Sequence, residues 1–420
     1  MPELDLAALP KYTPLEPLPK YSCEPSSDER TLQETPCHSR TVPNGTYIQR
    51  SGKISVILYE QESGGGTPRY GRNGEISGSI IIEKPHEVSR ITLKVEGKLD
   101  TKIPVCGSLS IRLFDHTCIS WRKDDGDELS SHLPFSHLLP RSFFYQGSEH
   151  DLPPTFSVRQ VGFDLRATYS ITICVSRARH AMNVFPRSHR VKIPFNYCPR
   201  IRPHRPILMN PNFFSAIKTS PEEWYQTSSA MQMRRDMPEL GTVHCDLFIP
   251  GGRVYSLTDK IPFHVQLNGH TDAFQILMPQ PVNGPLIPSR CHKKFPLQDN
   301  QLKIKVSLYR QIRAENKGEK SFNNTLIGES EISESPPGIC ESSSIIHLDW
   351  QGEANIKPDV MVGGFIAGNV SVKDFVVLIL EPPPVKNDEP SPFYPLQMTV
   401  PIRLVTDSFE EVYDYEPPPV

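Results

Sequence analysis

The segment VSRITLKVEGKLD, residues 88–100, alternates apolar and polar side chains in a way that decides the fold class. Ile91, Leu93 and Val95 occupy every second position, and a β-strand places such residues on one face of a sheet. The polar residues between them then face water. The segment therefore predicts a strand that is buried on one side only.

The same pattern recurs along residues 44–198. It is seen in SIRLFDHTCISW (110–121), ATYSITICVSR (167–177) and HRVKIPFNY (189–197). Short strands spaced by about 10 to 20 residues, with little helical periodicity between them, are typical of a β-sandwich. We therefore expect a first sandwich over residues 44–198.

A second strand series follows a proline-rich connector. Residues 199–241 are expected to be this linker, with a short helical turn signalled at residues 220–223. Residues 242–406 then predict a second sandwich, which contains a long loop over 271–298. The predicted fold class is all-β: two tandem β-sandwiches between disordered tails over residues 1–43 and 407–420.

Length and composition agree with this organisation. A chain of 420 residues suffices for two domains and tails, and 37% hydrophobic residues suffice for packed cores. A net charge of -3 argues against a nucleic-acid-binding protein. The nine cysteines include no C-x-x-C pair, and the N-terminal residues lack the pattern of a secretory signal. A cytoplasmic protein with reduced thiols is expected.

The N-terminal tail carries the sequence LPKY twice. The two copies are Leu9-Pro10-Lys11-Tyr12 and Leu18-Pro19-Lys20-Tyr21. With 43 Pro and 14 Tyr in the chain, Pro-x-Tyr preceded by Leu or Pro should arise roughly 0.3 times by chance. A WW domain accepts such a polyproline II segment at low entropic cost and binds the tyrosine in a second pocket. The alternative is a low-complexity tail with incidental tyrosines.

Charge is segregated between two other parts of the chain. Residues 165–221 contain ten Lys or Arg and no acid, and Arg pairs well with phosphate. The candidate ligands for phosphate or anionic lipid are Arg166, Arg177, Arg179, Arg187, Arg190 and Lys192. The alternative is a solvated hairpin tip and connector. The C-terminal residues 407–416 carry five acids and no base.

The sequence contains no recognisable catalytic motif. It has no G-x-x-x-x-G-K-[ST], H-E-x-x-H or G-x-S-x-G string, and its 14 His are dispersed. We therefore expect no catalytic residue, metal or cofactor. An enzyme whose site is assembled in three dimensions stays as a rival interpretation.

Several strings resemble the arrestin superfamily, in particular fungal-type arrestin-like (α-arrestin-like) proteins. In the first half they are LPFS (133–136), LP (139–140), LPPTF (152–156) and YSITICV (169–175), and in the second half IPFHVQLN (261–268). The resemblance extends over about residues 45–406. It implies two arrestin-like sandwiches and, in the α-arrestins, motifs of the L-P-x-Y type that bind WW domains of HECT-type ubiquitin ligases.

The resemblance implies a non-enzymatic adaptor. Such a protein would bind membrane-protein cargo, recruit the ligase for ubiquitination and endocytic sorting, and be recruited from the cytoplasm to the plasma membrane or endosomes. It also implies a basic N-terminal surface for phosphorylated partners. In some arrestins an acidic tail lies against that surface until activation, and residues 407–416 are the candidate here; the alternative is a plain disordered tail. A trafficking scaffold that binds coat or sorting proteins without a ligase is the alternative.

Overall fold

A computed structural model describes residues 44–62, 66–103, 107–123, 128–160, 163–177, 188–207, 213–234, 240–278, 301–334, 345–384 and 391–409. The chain divides into the units Met1–Pro43 and Asn44–Val420, and all described residues belong to the second. Strands dominate these residues, which confirms the predicted all-β sandwich fold.

The first half contains two main sheets that enclose one core. One sheet has the strand order β1-β2-β4-β7, and the other has the order β3-β12-β11-β5-β6 with β10 added beside β11. A hairpin, β8-β9, stands apart from both. The strands are β1 (Gly45–Ser51), β2 (Ile54–Gln61), β3 (Arg69–Tyr70), β4 (Glu75–Ile82), β5 (Val88–Ile103), β6 (Gly107–Arg122), β7 (His132–Leu138), β8 (Ser142–Tyr145), β9 (Ser148–Asp151), β10 (Phe156–Gln160), β11 (Phe163–Arg177) and β12 (Ser188–Tyr197).

Strand β5 shows why the alternating segment determines this half. Ile91, Leu93 and Val95 are completely buried, as the alternation predicts, because they face the opposite sheet. Gly97 interrupts the apolar row where a Cβ would lie 2.8 Å from Phe114 Cε1 and 2.9 Å from Tyr169 Cε1. The two rings occupy the space that a side chain at position 97 would need.

The second half forms one ten-stranded sheet that curls around its own core. Its order is β13-β14-β16-β19-β18-β17-β21-β22-β15, with β20 beside β21. The elements are α1 (Phe213–Thr219), β13 (Trp224–Met231), β14 (Val243–Pro250), β15 (Val254–Ser256), β16 (Lys260–His270), α2 (Thr271–Leu277), β17 (Lys303–Asn316), β18 (Glu319–Glu334), β19 (Ile345–Ile356), β20 (Phe365–Ala367), β21 (Val370–Glu381) and β22 (Leu396–Val405). Single 3-10 turns lie at Pro85–Glu87 and Pro221–Glu223.

Three elements lie where the sequence pattern indicated a connector or a loop, and the first is helix α1 within the expected linker 199–241. Strand β13 falls within the expected linker 199–241 and pairs with β14 as an edge of the second sheet. Helix α2 begins at residue 271, so the predicted loop over 271–298 starts as a helix. The reason is that Ala273, Phe274 and Leu277 fall on one helical face and are buried.

Strands β17 and β21 contribute to both cores. Near one end of the pair, Val306, Leu308, Val376 and Leu378 belong to the second core. Near the other end, the residues that join the first core are Ile312, Ala314, Val370 and Val372. The two sandwiches therefore share a pair of strands that runs through their junction.

Candidate functional site

A buried ion pair lies at the junction between the two cores. Arg310 Nε donates to Asp374 Oδ1 at 2.7 Å, and Arg310 Nη2 donates to Asp374 Oδ2 at 3.1 Å. The two residues are directly opposite each other on β17 and β21, at the level where the second core gives way to the first. We call them the junction pair.

The junction pair is almost completely removed from water. The side chains of Arg310 and Asp374 are 6% and 0% exposed. Burial raises the pKa of the Asp374 carboxyl, while the Arg310 guanidinium and a backbone hydrogen bond at Leu404 oppose that rise. A buried charge without its partner is strongly destabilising. A shift in register between β17 and β21 would separate Arg310 from Asp374, so the junction pair disfavours such a shift.

Further contacts join the two halves beside the junction pair. Phe156 of β10 and Phe365 next to β21 pack edge to face with ring centroids 5.5 Å apart. Asn323 of β18 donates a hydrogen bond from its side-chain amide to Gln160 of β10. These contacts link elements far apart in sequence, so the junction is a packed interface.

Two clefts open at this interface. The larger has a volume of about 660 Å³ and lies between the β8-β9 hairpin and the β20-β21 turn. Its lining includes Arg313, Lys317 and Lys373, while Glu315 is the only carboxylate among the described residues that line it. The smaller, of about 110 Å³, is lined partly by Gly363, Gly364 and Thr406. The larger cleft therefore favours a polar or anionic guest over an apolar one.

The connector is fixed to the second sandwich through a buried histidine. Phe213 of α1 stacks on the ring of His264 at a centroid distance of 3.7 Å, and Trp224 packs edge-on against Phe213 at 5.0 Å. His264 Nε2 donates to Asp349 Oδ1 at 2.8 Å, since a carboxylate oxygen can only accept. No partner for His264 Nδ1 is found among the described residues.

The start of the acidic C-terminal segment is held by the connector. Arg200 donates from Nε and Nη2 to Asp407 Oδ1 at 2.9 and 2.6 Å, and the Asp407 amide donates to the carbonyl of Ile201 at 3.1 Å. Partial burial works to raise the pKa of the Asp407 carboxyl, but Arg200 and Thr406 hold it below its ordinary value. Residues 410–420, most of the predicted tail, lie outside the described residues.

The predicted phosphate or lipid ligands do not form one pocket. Arg190 and Lys192 share the exposed face of β12, and Arg166 lies on the same sheet face in β11. Arg190 is opposite Cys174, however, and Cys174 lies eight residues from Arg166, about 26 Å along a strand. Arg177 lies at the end of β11, 3.8 Å from Glu87, and Arg179 and Arg187 lie outside the described residues.

Two more of these bases have acidic partners. Arg166 pairs with Asp164 of its own strand β11 at 3.1 Å, and Lys192 of β12 pairs with Glu96 of β5 at 3.7 Å. Part of the positive charge is therefore balanced, in one case by an acid two residues away and in the other by an acid that folding brings close.

The predicted WW ligands Leu9, Pro10, Tyr12, Leu18, Pro19 and Tyr21 lie outside the described residues. Two other Pro-x-Tyr strings, Pro68-Arg69-Tyr70 and Pro392-Phe393-Tyr394, are part of the fold. Tyr70 is buried in β3, and Tyr394 is covered by the Arg234 guanidinium, which lies 4.2 Å from the ring centroid.

Sequence reasoning did not identify the junction pair, although a signal was present. In β17, Val306, Leu308, Arg310, Ile312 and Ala314 occupy alternate positions, so a base stands in an otherwise apolar row. A charge at an inward position requires a buried partner. Its partner could not be identified in this way because strand pairing between residues 310 and 374 is not encoded locally.

Comparison with known proteins identified no family for this chain. No protein-family model matches the chain, and the search of curated proteins gave no match. Within the described ranges, no group of three or more His, Cys, Asp or Glu could hold a metal ion. None of the helices described has the length and apolar character needed to cross a membrane.

Proposed function

We propose that this chain is a non-enzymatic, arrestin-like adaptor. Its sandwiches engage membrane-protein cargo, and its N-terminal LPKY pair recruits a HECT-type ubiquitin ligase through WW domains. The ligase then ubiquitinates the cargo for endocytic sorting. The observation that carries this proposal is the repeat of LPKY at Leu9–Tyr12 and Leu18–Tyr21, ahead of the first strand at Gly45.

The spacing of the two copies supports recruitment of a WW-domain protein. Each copy supplies a proline for the aromatic groove and a tyrosine for the adjoining pocket. The equivalent residues of the two copies are nine positions apart, at most about 32 Å when extended. Two linked sites raise the effective concentration for tandem WW domains or for rebinding of one domain.

The packed junction supports the role assigned to the sandwiches. The buried Arg310–Asp374 pair and the strands shared by both cores join the two sandwiches through packed, buried residues. Residues 44–409 are thus suited to bind cargo, while the ligase is recruited by a separate segment.

Binding of purified full-length chain to the tandem WW domains of a HECT-type ligase tests the proposal by isothermal titration calorimetry. Replacing Tyr12 and Tyr21 by Ala should weaken binding at least tenfold, and each single replacement should remove the avidity gain. Tyr394→Ala is the matched control, since Tyr394 also ends a Pro-x-Tyr string but belongs to the fold. It should bind as wild type does.

Equal binding by the double variant and the wild type would exclude the LPKY pair as the ligase-recruiting element. A chain that binds no WW domain yet still captures cargo would support the alternative, a sorting scaffold that works without a ligase.

A further inference from the structure

The six-stranded sheet of the first sandwich has one face turned away from the core. On β5, the residues at odd-numbered positions from 91 to 103 are buried, and those at even-numbered positions from 90 to 102 are exposed or half-buried. Cross-strand pairing places the exposed positions of β6, β10, β11 and β12 on the same side. We call this side the outer sheet face.

The outer sheet face carries a large excess of positive charge. Its bases are Arg90, Lys94, Lys98, Lys102, Arg112, Arg122, Arg159, Arg166, Arg190 and Lys192. Its acids are Glu96, Asp100, Asp115 and Asp164. Ten bases against four acids leave a net charge of +6 on a chain whose total charge is -3.

Three of the four acids of this face lie beneath the bases, while the fourth, Asp100, is exposed and accepts a hydrogen bond from Ser110. Glu96, for example, is 3.3 Å from Lys98 and 3.7 Å from Lys192. Asp115 is shared in the same way by Lys94 and Arg112, and Asp164 by Arg159 and Arg166. The three acidic side chains are 22–27% exposed, whereas the six bases are 41–78% exposed. A partner that approaches the face therefore meets cations first.

Two pairs of like charges lie directly opposite each other across β5 and β6. Arg90 faces Arg122, and Lys98 faces Arg112. Such pairs destabilise a sheet when nothing neutralises them. Lys98 and Arg112 each have an acidic neighbour, but no ion pair of Arg90 or Arg122 is found in the described part of the chain. Folding alone does not account for this arrangement, while an external anion would relieve the repulsion.

We propose that the outer sheet face is a docking surface for an anionic lipid bilayer. Strand β5 has 16 residues, so the face is about 50 Å long. The five strands that lie side by side, β3-β12-β11-β5-β6, make it about 20 Å wide. The bases are spread over this area, as the distance between Arg190 and Arg166 shows. A broad cationic face matches a surface of many anionic headgroups better than a single phosphorylated residue.

This inference deepens the proposed function, because it assigns a face to the membrane recruitment that an adaptor for membrane cargo requires. It involves no residue of the LPKY pair. Lipid binding and ligase binding are therefore assigned to different residues and can be measured independently.

Cosedimentation of the full-length chain with vesicles tests the proposal. Vesicles of phosphatidylcholine mixed with phosphatidylserine should bind the chain, binding should fall with added salt, and vesicles of phosphatidylcholine alone should not bind. Replacing Lys94, Lys98 and Lys192 by Gln should weaken binding roughly hundredfold, since each base near an anionic bilayer contributes about fivefold in affinity.

A matched triple variant controls for total charge. Lys260, Lys305 and Lys320 are exposed lysines of the second half, and their replacement by Gln should leave vesicle binding unchanged. Thermal unfolding of both triple variants shows whether they are folded. In the wild type, Cys174 gives a second readout because it lies on the outer sheet face between Thr92 and Arg190. Bound vesicles should slow its alkylation.

The proposal is overturned if the Lys94, Lys98 and Lys192 variant binds anionic vesicles as wild type does, or if vesicles leave Cys174 alkylation unchanged. Binding to a phosphorylated peptide without binding to vesicles would replace the bilayer by a phosphorylated protein. The Tyr12→Ala, Tyr21→Ala variant should keep vesicle binding, so failure of the ligase proposal and failure of this one give different results.

Discussion

Arg310 and Asp374 form a bidentate ion pair between β17 and β21. It lies between the part of these strands that packs in the second core and the part that packs in the first. Two positions away on the same face, the side chains along both strands are apolar and buried: Leu308 and Ile312 on β17, and Val372 and Val376 on β21. The pair is thus enclosed by protein, and neither member can be hydrated when the other is removed.

Replacing Asp374 by Asn should lower the free energy of unfolding by about 3–5 kcal/mol, because it leaves the Arg310 charge buried without a counter-ion. Urea unfolding monitored by circular dichroism measures the change. Glu353→Gln is the control: its ion pair with Lys260, at 3.4 Å, is exposed, and its loss should cost less than about 1 kcal/mol.

Replacing both members of the junction pair by apolar residues should recover most of that loss. In the Arg310→Met, Asp374→Leu variant no charge is buried, and such replacements of buried pairs are often neutral or stabilising. If the single Asp374→Asn variant is as stable as the wild type, the ion pair is not the element that holds this level of the junction.

Truncating Phe213 to Ala should lower the free energy of unfolding by about 3 kcal/mol. The ring is buried against His264, Trp224 and Phe248, and its loss leaves a cavity and an uncovered imidazole. Phe214, its neighbour in α1, is 38% exposed, so Phe214→Ala should cost clearly less. Chemical unfolding of both variants checks this, and equal losses would argue against the stacked ring as the anchor of α1.

The ion pair between Arg200 and Asp407 should give a pH-dependent contribution to stability. The pKa of Asp407 is lower in the folded chain than the ordinary value of about 3.9, so its contribution is present above that value and disappears as the pH falls through the folded pKa. At pH 7, Asp407→Asn should lose at most about 1 kcal/mol of unfolding free energy.

The difference between the wild type and Asp407→Asn should therefore vanish in acid. Unfolding free energies measured as a function of pH test this, with Asp359→Asn as the control at an exposed carboxylate. A difference that is constant with pH would mean that Asp407 stabilises the connector through packing and not through its charge.

Cys245 should resist alkylation in the native chain. Burial raises the pKa of its thiol to about 12, and the neighbouring Asp246 carboxylate adds to the rise, so little thiolate exists at neutral pH. Iodoacetamide treatment followed by peptide mass spectrometry should show modification of the half-buried Cys198 well before Cys245. Denaturant should make both react, and rapid native modification of Cys245 would contradict its placement in the core.

The strand pattern was readable from the sequence because it depends on neighbours two residues apart. Ile91, Leu93 and Val95 are buried for the reason that their alternation suggests. Helix α2 was missed because a helix of seven residues gives little periodic signal before a proline-rich sequence, and it is stabilised by burial of Ala273, Phe274 and Leu277 in the second core.

The features that depend on distant pairing were less accessible. The basic residues between positions 166 and 192 were visible, but the acid beside Lys192 is Glu96 of β5, 96 positions earlier in the chain. The like-charge opposition of Arg90 and Arg122 likewise exists only once β5 and β6 are in register. Residue types can be read from a sequence, whereas these juxtapositions are produced by folding.

The sharing of β17 and β21 between the two cores has a consequence for synthesis on the ribosome. The twelfth strand of the first sandwich ends at Tyr197, but five residues of its buried cluster, Ile312, Ala314, Ala367, Val370 and Val372, emerge more than a hundred residues later. The nascent first half therefore carries an unfinished apolar surface until almost the whole chain has been translated. Chaperones bind such exposed apolar surfaces. The first half can complete its core only after the strands of the second half have been synthesised, so the two halves do not fold one after the other.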